Sequence, residues 1–303
     1  MEVTHRFVNI GGLHVHVAEA GEGEPLLMIH GWPQNWWMWR KQIPHFAGKF
    51  KVIVPDLRGF GWTDAPRHGY RKERLCRDLV ALIESLGYKR VRLLTHGWGG
   101  WIGYIVSGRN PGLITQHFAT NVPPLWPRIS LRTIPAMLRF GYMFRIALPF
   151  LGPKMLNRDG SFVHDFLTRE ETRVGGWTEL ELNVFSDQFR DPARARASAR
   201  LYRSFLFAEA IAVGLFRRYR KLRITTPTRL LFGAKDSAIA VSWLRGFETH
   251  FDDFLIELVP RVGHFIVDEV PDMVNERALK FFRDPKFRSP PAPSPDESQS
   301  GLG

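Results

Sequence analysis

Two hydrophobic periods divide this chain. Residues 4–10 and 13–19 alternate apolar and polar side chains about Gly11-Gly12, which predicts a hairpin. Residues 26–29, 51–54, 91–95, 114–120 and 228–232 are short runs dominated by apolar and β-branched residues, the pattern of buried strands, and 254–259 reads as the last strand. Between them, 36–47, 72–86 and 101–110 read as helices, and 273–282 closes the series. Strands that alternate with helices predict a mostly parallel sheet flanked by helices. The rhythm breaks at Asn121-Val122-Pro123-Pro124 and resumes after Thr225-Thr226-Pro227; the segment between keeps a helical period and shows no strand. The expectation is an α/β core in two parts, 1–121 and 226–288, with an inserted helical cap over 122–225. Residues 289–303 are rich in Pro and Ser without apolar periodicity, and are expected to be disordered.

Composition narrows the classes. An apolar content of 44% over 303 residues fits a globular protein with a substantial core. The single cysteine, Cys76, excludes an intramolecular disulfide framework and a thiolate metal cluster, and its place in a helix predicts buried filler. Residues 1–12 lack a signal-peptide pattern, and no apolar run reaches the roughly 18 residues that span a bilayer. The expectation is a cytoplasmic protein with no membrane partner. The net charge of +12 is uneven: residues 122–225 hold 18 Lys/Arg against 9 Asp/Glu, which is +9 of the total. No nucleic-acid motif accompanies that excess, so it reads as a solvated basic face rather than a nucleic-acid surface.

The stretch Leu93-Leu94-Thr95-His96-Gly97-Trp98-Gly99-Gly100 organises the rest. A buried strand enters it, a helix leaves it, and the turn between is built like a nucleophile elbow. Such a turn lifts one side chain above the sheet, and small neighbours let helix and strand approach. The lifted position here is Gly97, which has no side chain.

In their order along the chain, these motifs resemble the α/β-hydrolase fold, and within it the epoxide hydrolases, over about residues 5 to 283. His30-Gly31-Trp32-Pro33 resembles the loop that supplies a backbone oxyanion donor, and Pro55-Asp56-Leu57-Arg58-Gly59-Phe60-Gly61 resembles the loop after the next strand. His96-Gly97-Trp98-Gly99-Gly100 is similar to the family's H-D-W-G-G, in which the Asp attacks the epoxide. The resemblance makes His264, in Val262-Gly263-His264-Phe265, the general base and Asp236 the acid that orients it. It makes Tyr142, seven residues before Pro149, and Tyr202, in Leu201-Tyr202-Arg203, the two cap tyrosines that act as general acid. Trp32 and Trp98 would then offer backbone donors, with His30 and Asn121 beside the substrate. Three departures stand out: Gly97 cannot form the alkyl-enzyme, Thr95 is larger than the usual glycine, and Asn121 carries an amide where some relatives have an alternative acid.

Loss of a covalent nucleophile can cost on the order of 10⁶ in rate. General acid–base help supplies about 10²–10⁴, and holding two reacting groups together is equivalent to about 10⁵–10⁸ M. A reaction whose nucleophile lies within the substrate can therefore dispense with an aspartate at 97. The ten tryptophans, several next to these motifs, suggest a bulky apolar or aromatic ligand. The sequence thus points to an epoxide-opening enzyme without a covalent intermediate, acting on a small apolar or aromatic epoxide-type substrate, with no cofactor and no metal. A non-catalytic binder of a small hydrophobic ligand, and an epoxide hydrolase inactivated by an Asp-to-Gly change, are the alternatives. A homodimer is compatible with either reading.

Overall fold

The structure is a computed structural model that describes residues 2–126, 141–170, 172, 176–247, 249–284 and 286. Eight strands form one sheet: β1 (Thr4–Ile10), β2 (Leu13–Ala20), β3 (Pro25–Ile29), β4 (Lys51–Pro55), β5 (Val91–His96), β6 (Ile114–Thr120), β7 (Thr228–Gly233) and β8 (Phe254–Val259). Their spatial order is β1-β2-β4-β3-β5-β6-β7-β8. The β1–β2 and β2–β4 pairs are antiparallel, and every other pair is parallel. Strands β5 and β6 are buried almost throughout, as their unbroken apolar runs require. The expected α/β-hydrolase architecture, a mostly parallel sheet flanked by helices, is what the chain adopts.

Helices α1 (Ile43–Ala47), α2 (Lys72–Ser85) and α3 (Trp98–Arg109) connect the first strands. Between β6 and β7 come only helices among the described residues: α4 (Gly141–Ala147), α5 (Leu151–Asn157), α6 (Ser161–Glu170), α7 (Glu179–Ser186), α8 (Pro192–Ser204) and α9 (Ala210–Gly214). A π-helical turn, Phe205–Glu209, joins α8 to α9. Helices α10 (Ile266–Glu269) and α11 (Pro271–Phe282) follow β8. The expected tail over 289–303 and the start of the expected cap, residues 127–140, lie outside the described residues. No helix among the described residues is long and apolar enough to cross a membrane.

Two elements differ from the pattern-based expectation. The helix expected over 36–47 is a 3-10 turn, Trp36–Lys41, followed by α1. Pro44 has no N–H and fits only in a first helical turn, so the helix starts afresh beside it. The helix after the elbow begins at Trp98, not at residue 101. Gly99 and Gly100 are poor helix formers, and close packing overrides their propensity. A Cβ on Gly99 would lie 2.4 Å from the Ile29 carbonyl oxygen, and one on Gly100 would lie 2.8 Å from the Val122 side chain. Cys76 is buried against the Ile102 carbonyl, and burial pushes its thiol well above the usual range.

The order of strands reverses between β3 and β5, and ligands of open parallel sheets bind at such a crevice. The loop His30-Gly31-Trp32-Pro33 leaves the end of β3 and the Gly97 turn leaves the end of β5. Chain topology thus sets the two motifs side by side, with Gly31 and Gly97 in contact distance.

Helix α3 can approach only because residue 99 has no side chain. Gly99→Ala is expected to lower unfolding free energy by about 1–3 kcal/mol, the range for overpacking a filled interior. Chemical denaturation measures this, and an unchanged midpoint with unchanged slope would refute the tight-approach account.

Candidate active site

The centre of the site is a buried carboxylate at the end of β7. Asp236 Oδ2 accepts from His264 Nδ1 at 2.8 Å and from Asn121 Nδ2 at 2.7 Å, and its Oδ1 accepts from the Ile239 amide at 2.7 Å. Its side chain is fully buried, so these donors replace water. Because His264 Nδ1–H is committed to Asp236, Nε2 is the atom left for chemistry. Burial opposes a charge on His264. The Asp236 charge and hydrogen bond outweigh it, helped by Glu170 and Glu269, and the imidazole stays protonated above its ordinary value of 6.5.

Asn121 and His30 were expected beside the substrate, and the structure assigns them other work. Asn121 is fully buried, with its backbone in the left-handed region at φ 40°. Its amide donates to Asp236 and to the Gly263 carbonyl at 3.1 Å, and its oxygen accepts from the Gly233 amide at 3.2 Å. It fastens the ends of β6 and β7 to the loop that carries His264. His30 is equally buried: Nδ1 donates to the Gly31 carbonyl and Nε2 accepts the Leu57 amide, both at 2.9 Å. Burial holds its imidazole below the usual value, and the neutral ring ties two loops together.

Gly97 adopts φ 52° and ψ −120° and caps α3. A Cβ there would meet only the Gly31 Cα, at 3.6 Å, so the position is open. His96 lies just below. It is fully buried, its Nδ1 bonds Thr120 at 3.0 Å, and its ring lies 4.9 Å from that of His264. Burial, then the nearby His264 and His30, hold it well below its ordinary value, so it is neutral. Thr95 has a partner of its own, with Oγ1 2.7 Å from His117 Nε2. Trp98 is the first residue of α3, where a helix leaves its N–H groups without intrahelical partners. The Trp32–Pro33 bond is cis.

Both tyrosines come down from the inserted helices onto this turn. The Tyr202 ring packs edge-on against Trp32 at 5.3 Å, Trp98 at 5.8 Å and Tyr142 at 5.8 Å. Tyr142 stacks on Trp32 at 5.9 Å and meets Phe166 at 4.7 Å. These contacts bring the two phenol rings and the Trp98 indole together. Burial raises both phenols above their usual range, so both carry their protons near neutral pH.

Two residues of the site's electrostatics escaped the sequence reading. Glu170, at the end of α6, accepts from Ser237 Oγ, and Glu269 accepts from the Gly263 amide at 2.9 Å. Both support the charge on His264. The only available signal was that Ser237 and Gly263 flank motif residues.

The chain belongs to the α/β-hydrolase fold family, whose sequence model matches residues 24–271. Relatives within that family include epoxide hydrolases. The chain is 30% identical to epoxide hydrolase 3 of Mus musculus, over 91% of this chain and 76% of that one. It is also 30% identical to the soluble epoxide hydrolase of Corynebacterium sp. (strain C12), over 93% and 98%. Among solved structures, the ligand-free epoxide hydrolase CorEH superposes with a TM-score of 0.82 at 27% identity, covering 93% of this chain and 99% of that one.

A raised His264 value has two consequences of fixed sign. Its contribution to stability is fully present below about pH 6.5, where the unfolded imidazole is also protonated, and is lost as pH rises through the folded value. The neutral form that can take a proton grows over the same rise. Asp236→Asn removes the largest raising influence and should bring the His264 NMR titration midpoint below that of the unaltered protein. An unmoved midpoint would show that Asp236 does not control this histidine.

Proposed function

We propose that this protein opens or rearranges an epoxide without a covalent intermediate, residues 122–225 acting as a cap over the site. The observation that carries the reading is the pairing of intact acid and base groups with a side-chain-free position 97. An imidazole with a fixed tautomer and two protonated phenols converge where the turn itself supplies no nucleophile.

In this mechanism a hydroxyl of the substrate is the nucleophile. His264 Nε2 takes its proton as the oxygen attacks one epoxide carbon. The C–O bond at that carbon breaks, and the released oxygen takes a proton from the tyrosine pair. The proton on His264 then returns to the tyrosine, leaving a cyclised isomer and an unchanged protein. Backbone N–H groups at Trp32 and Trp98 hold charge that develops on oxygen. The stacked aromatic wall of Trp32, Trp98, Tyr142 and Phe166 suits a bulky apolar or aromatic substrate. Such a reaction fits a step in small-molecule biosynthesis. A purely binding role has no use for the Asp236–His264 pair, and that retention favours the enzyme.

His264→Ala should abolish turnover while ligand affinity stays near its original value. Tyr142→Phe and Tyr202→Phe should each slow ring opening by roughly 10²-fold or more, the scale of lost general-acid help. Two tyrosine variants with full turnover would remove the acid from the mechanism.

Gly97→Asp is the sharpest test, because the position is open and only backbone strain of order 1–3 kcal/mol opposes a side chain. The variant should gain hydrolysis of simple aryl epoxides and an adduct visible by intact mass, and the unaltered protein should show neither. A folded variant with no adduct would mean that the pocket no longer presents an epoxide carbon to residue 97. Hydrolysis of those epoxides by the unaltered protein at ordinary enzyme rates would sink the non-covalent cyclisation.

A further inference from the structure

The inserted helices turn one apolar side to the site and another to water. In α4 the Tyr142 ring stacks on Trp32, while Phe144, about 200° further round the helix, is exposed. The chain leaving α4 then exposes Leu148, Phe150 and Leu151. Phe150 is 90% exposed, and its backbone lies in the left-handed region at φ 62°, a strained place for a bulky side chain. The later run repeats the pattern. Tyr202 and Phe205 pack their rings against Trp98, at 5.8 and 4.7 Å, while Phe207, Ile211 and Leu215 recur at intervals of four and are exposed. Phe216 follows them, 76% exposed. Arg203 Nε donates to the Ala147 carbonyl at 3.0 Å, so the end of α4 lies one helical turn from the start of this row.

The same stretches are basic. Residues 141–158 hold three Lys/Arg and no acid, and residues 203–223 hold six Lys/Arg and one acid, Glu209. Glu209 is matched inside the protein: it is buried, and it accepts from the Lys72 amide at 2.5 Å and the Lys72 ammonium at 3.3 Å. Lys154, Arg217, Arg220 and Lys221 are exposed, and none has a carboxylate partner among the described residues. Large apolar patches are rare on monomeric proteins and mark contact sites. A second copy meeting this face with its own would set like charges against each other. A neutral apolar partner would leave the cations without a counterpart. A bilayer with anionic headgroups matches both features, because its interior takes the rings and its headgroup layer takes the cations. The lack of a membrane-crossing helix among the described residues bears on spanning, not on lying at the interface.

We propose that the outer side of α4, the turn after it and the run from Phe207 to Lys221 dock on an anionic lipid bilayer. Phe150 and Phe216 enter beneath the headgroups, and Lys154, Arg217, Arg220 and Lys221 stay among them. The inner sides of the same helices carry Tyr142 and Tyr202, so the docked site stands one helix thickness, about 10 Å, from lipid. On the reading of an apolar epoxide-type substrate, the bilayer is where that substrate collects.

The test is co-sedimentation of the full chain with vesicles of phosphatidylcholine, alone or with about 30% phosphatidylserine. The unaltered protein should bind the anionic vesicles about tenfold better or more, and should lose that preference as salt rises and the screening length falls from about 10 Å to about 3 Å. Arg220→Gln with Lys221→Gln should weaken binding about thirtyfold, which is about fivefold for each basic residue at such a surface. Phe150→Asn, an exchange the left-handed backbone tolerates, and Phe216→Ser should each weaken it about tenfold, the scale of withdrawing a ring from lipid. These side chains already stand in water, so the variants should keep the thermal midpoint of the unaltered protein. Absence of binding to anionic vesicles by the unaltered protein overturns the proposal, and so does binding indifferent to the charge or the ring variants. Sedimentation velocity examines the rival occupant: a dimer that Phe150→Asn with Phe216→Ser takes apart would assign the face to a second copy and overturn the membrane. Vesicle binding needs no turnover. A protein that binds vesicles through these residues yet opens no epoxide would defeat the proposed function and leave the docking face standing.

Discussion

A buried carboxylate has few ways to exist, and the site depends on how Asp236 meets that constraint. Its donors come from three places: Asn121 after β6, Ile239 beyond β7 and His264 after β8. Parallel strands laid side by side bring those three ends to one edge of the sheet. The carboxylate therefore reports on the register of all three strands, because a slip in any of them would take a donor away from a buried charge. The same bonds choose the imidazole tautomer. Fold and protonation are settled by one group.

The inserted helices are held to the core by polar ties as well as by rings. Gln188 accepts the Gly61 amide and donates to the Pro33 carbonyl, Arg194 donates to the Gly61 carbonyl, and the Trp32 indole donates to Ser198. Arg40 joins Glu181 of α7 to Asp268 of α10. The loops after β3 and β4 are thus clamped from above, while Tyr142 and Tyr202 reach past them to the turn.

Much of this was legible in the sequence, and the parts that were not share a physical cause. Continuous apolar runs named the buried strands, and the small residues after His96 named the elbow. Residue type did not reveal which atom of a residue works. His30 and Asn121 sit in the right loops, yet their side chains are consumed by the Leu57 amide and by Asp236. Lys72, the first residue of α2, lies three and four residues before Leu75 and Cys76 on the buried face of that helix, where its ammonium is paired with Glu209. Its partner is 137 residues away, in a π-turn that no period announces. Pairings over such separations exist only once the chain has folded.

The elbow at Gly97 has a consequence for descent. Its shape is imposed by neighbours: the close approach of Gly99 to the Ile29 carbonyl, the contact with Gly31, and the bond from the Gly97 amide to the Thr120 carbonyl. None of these involves a side chain at 97. The shape of the turn is therefore inherited independently of the residue at its apex.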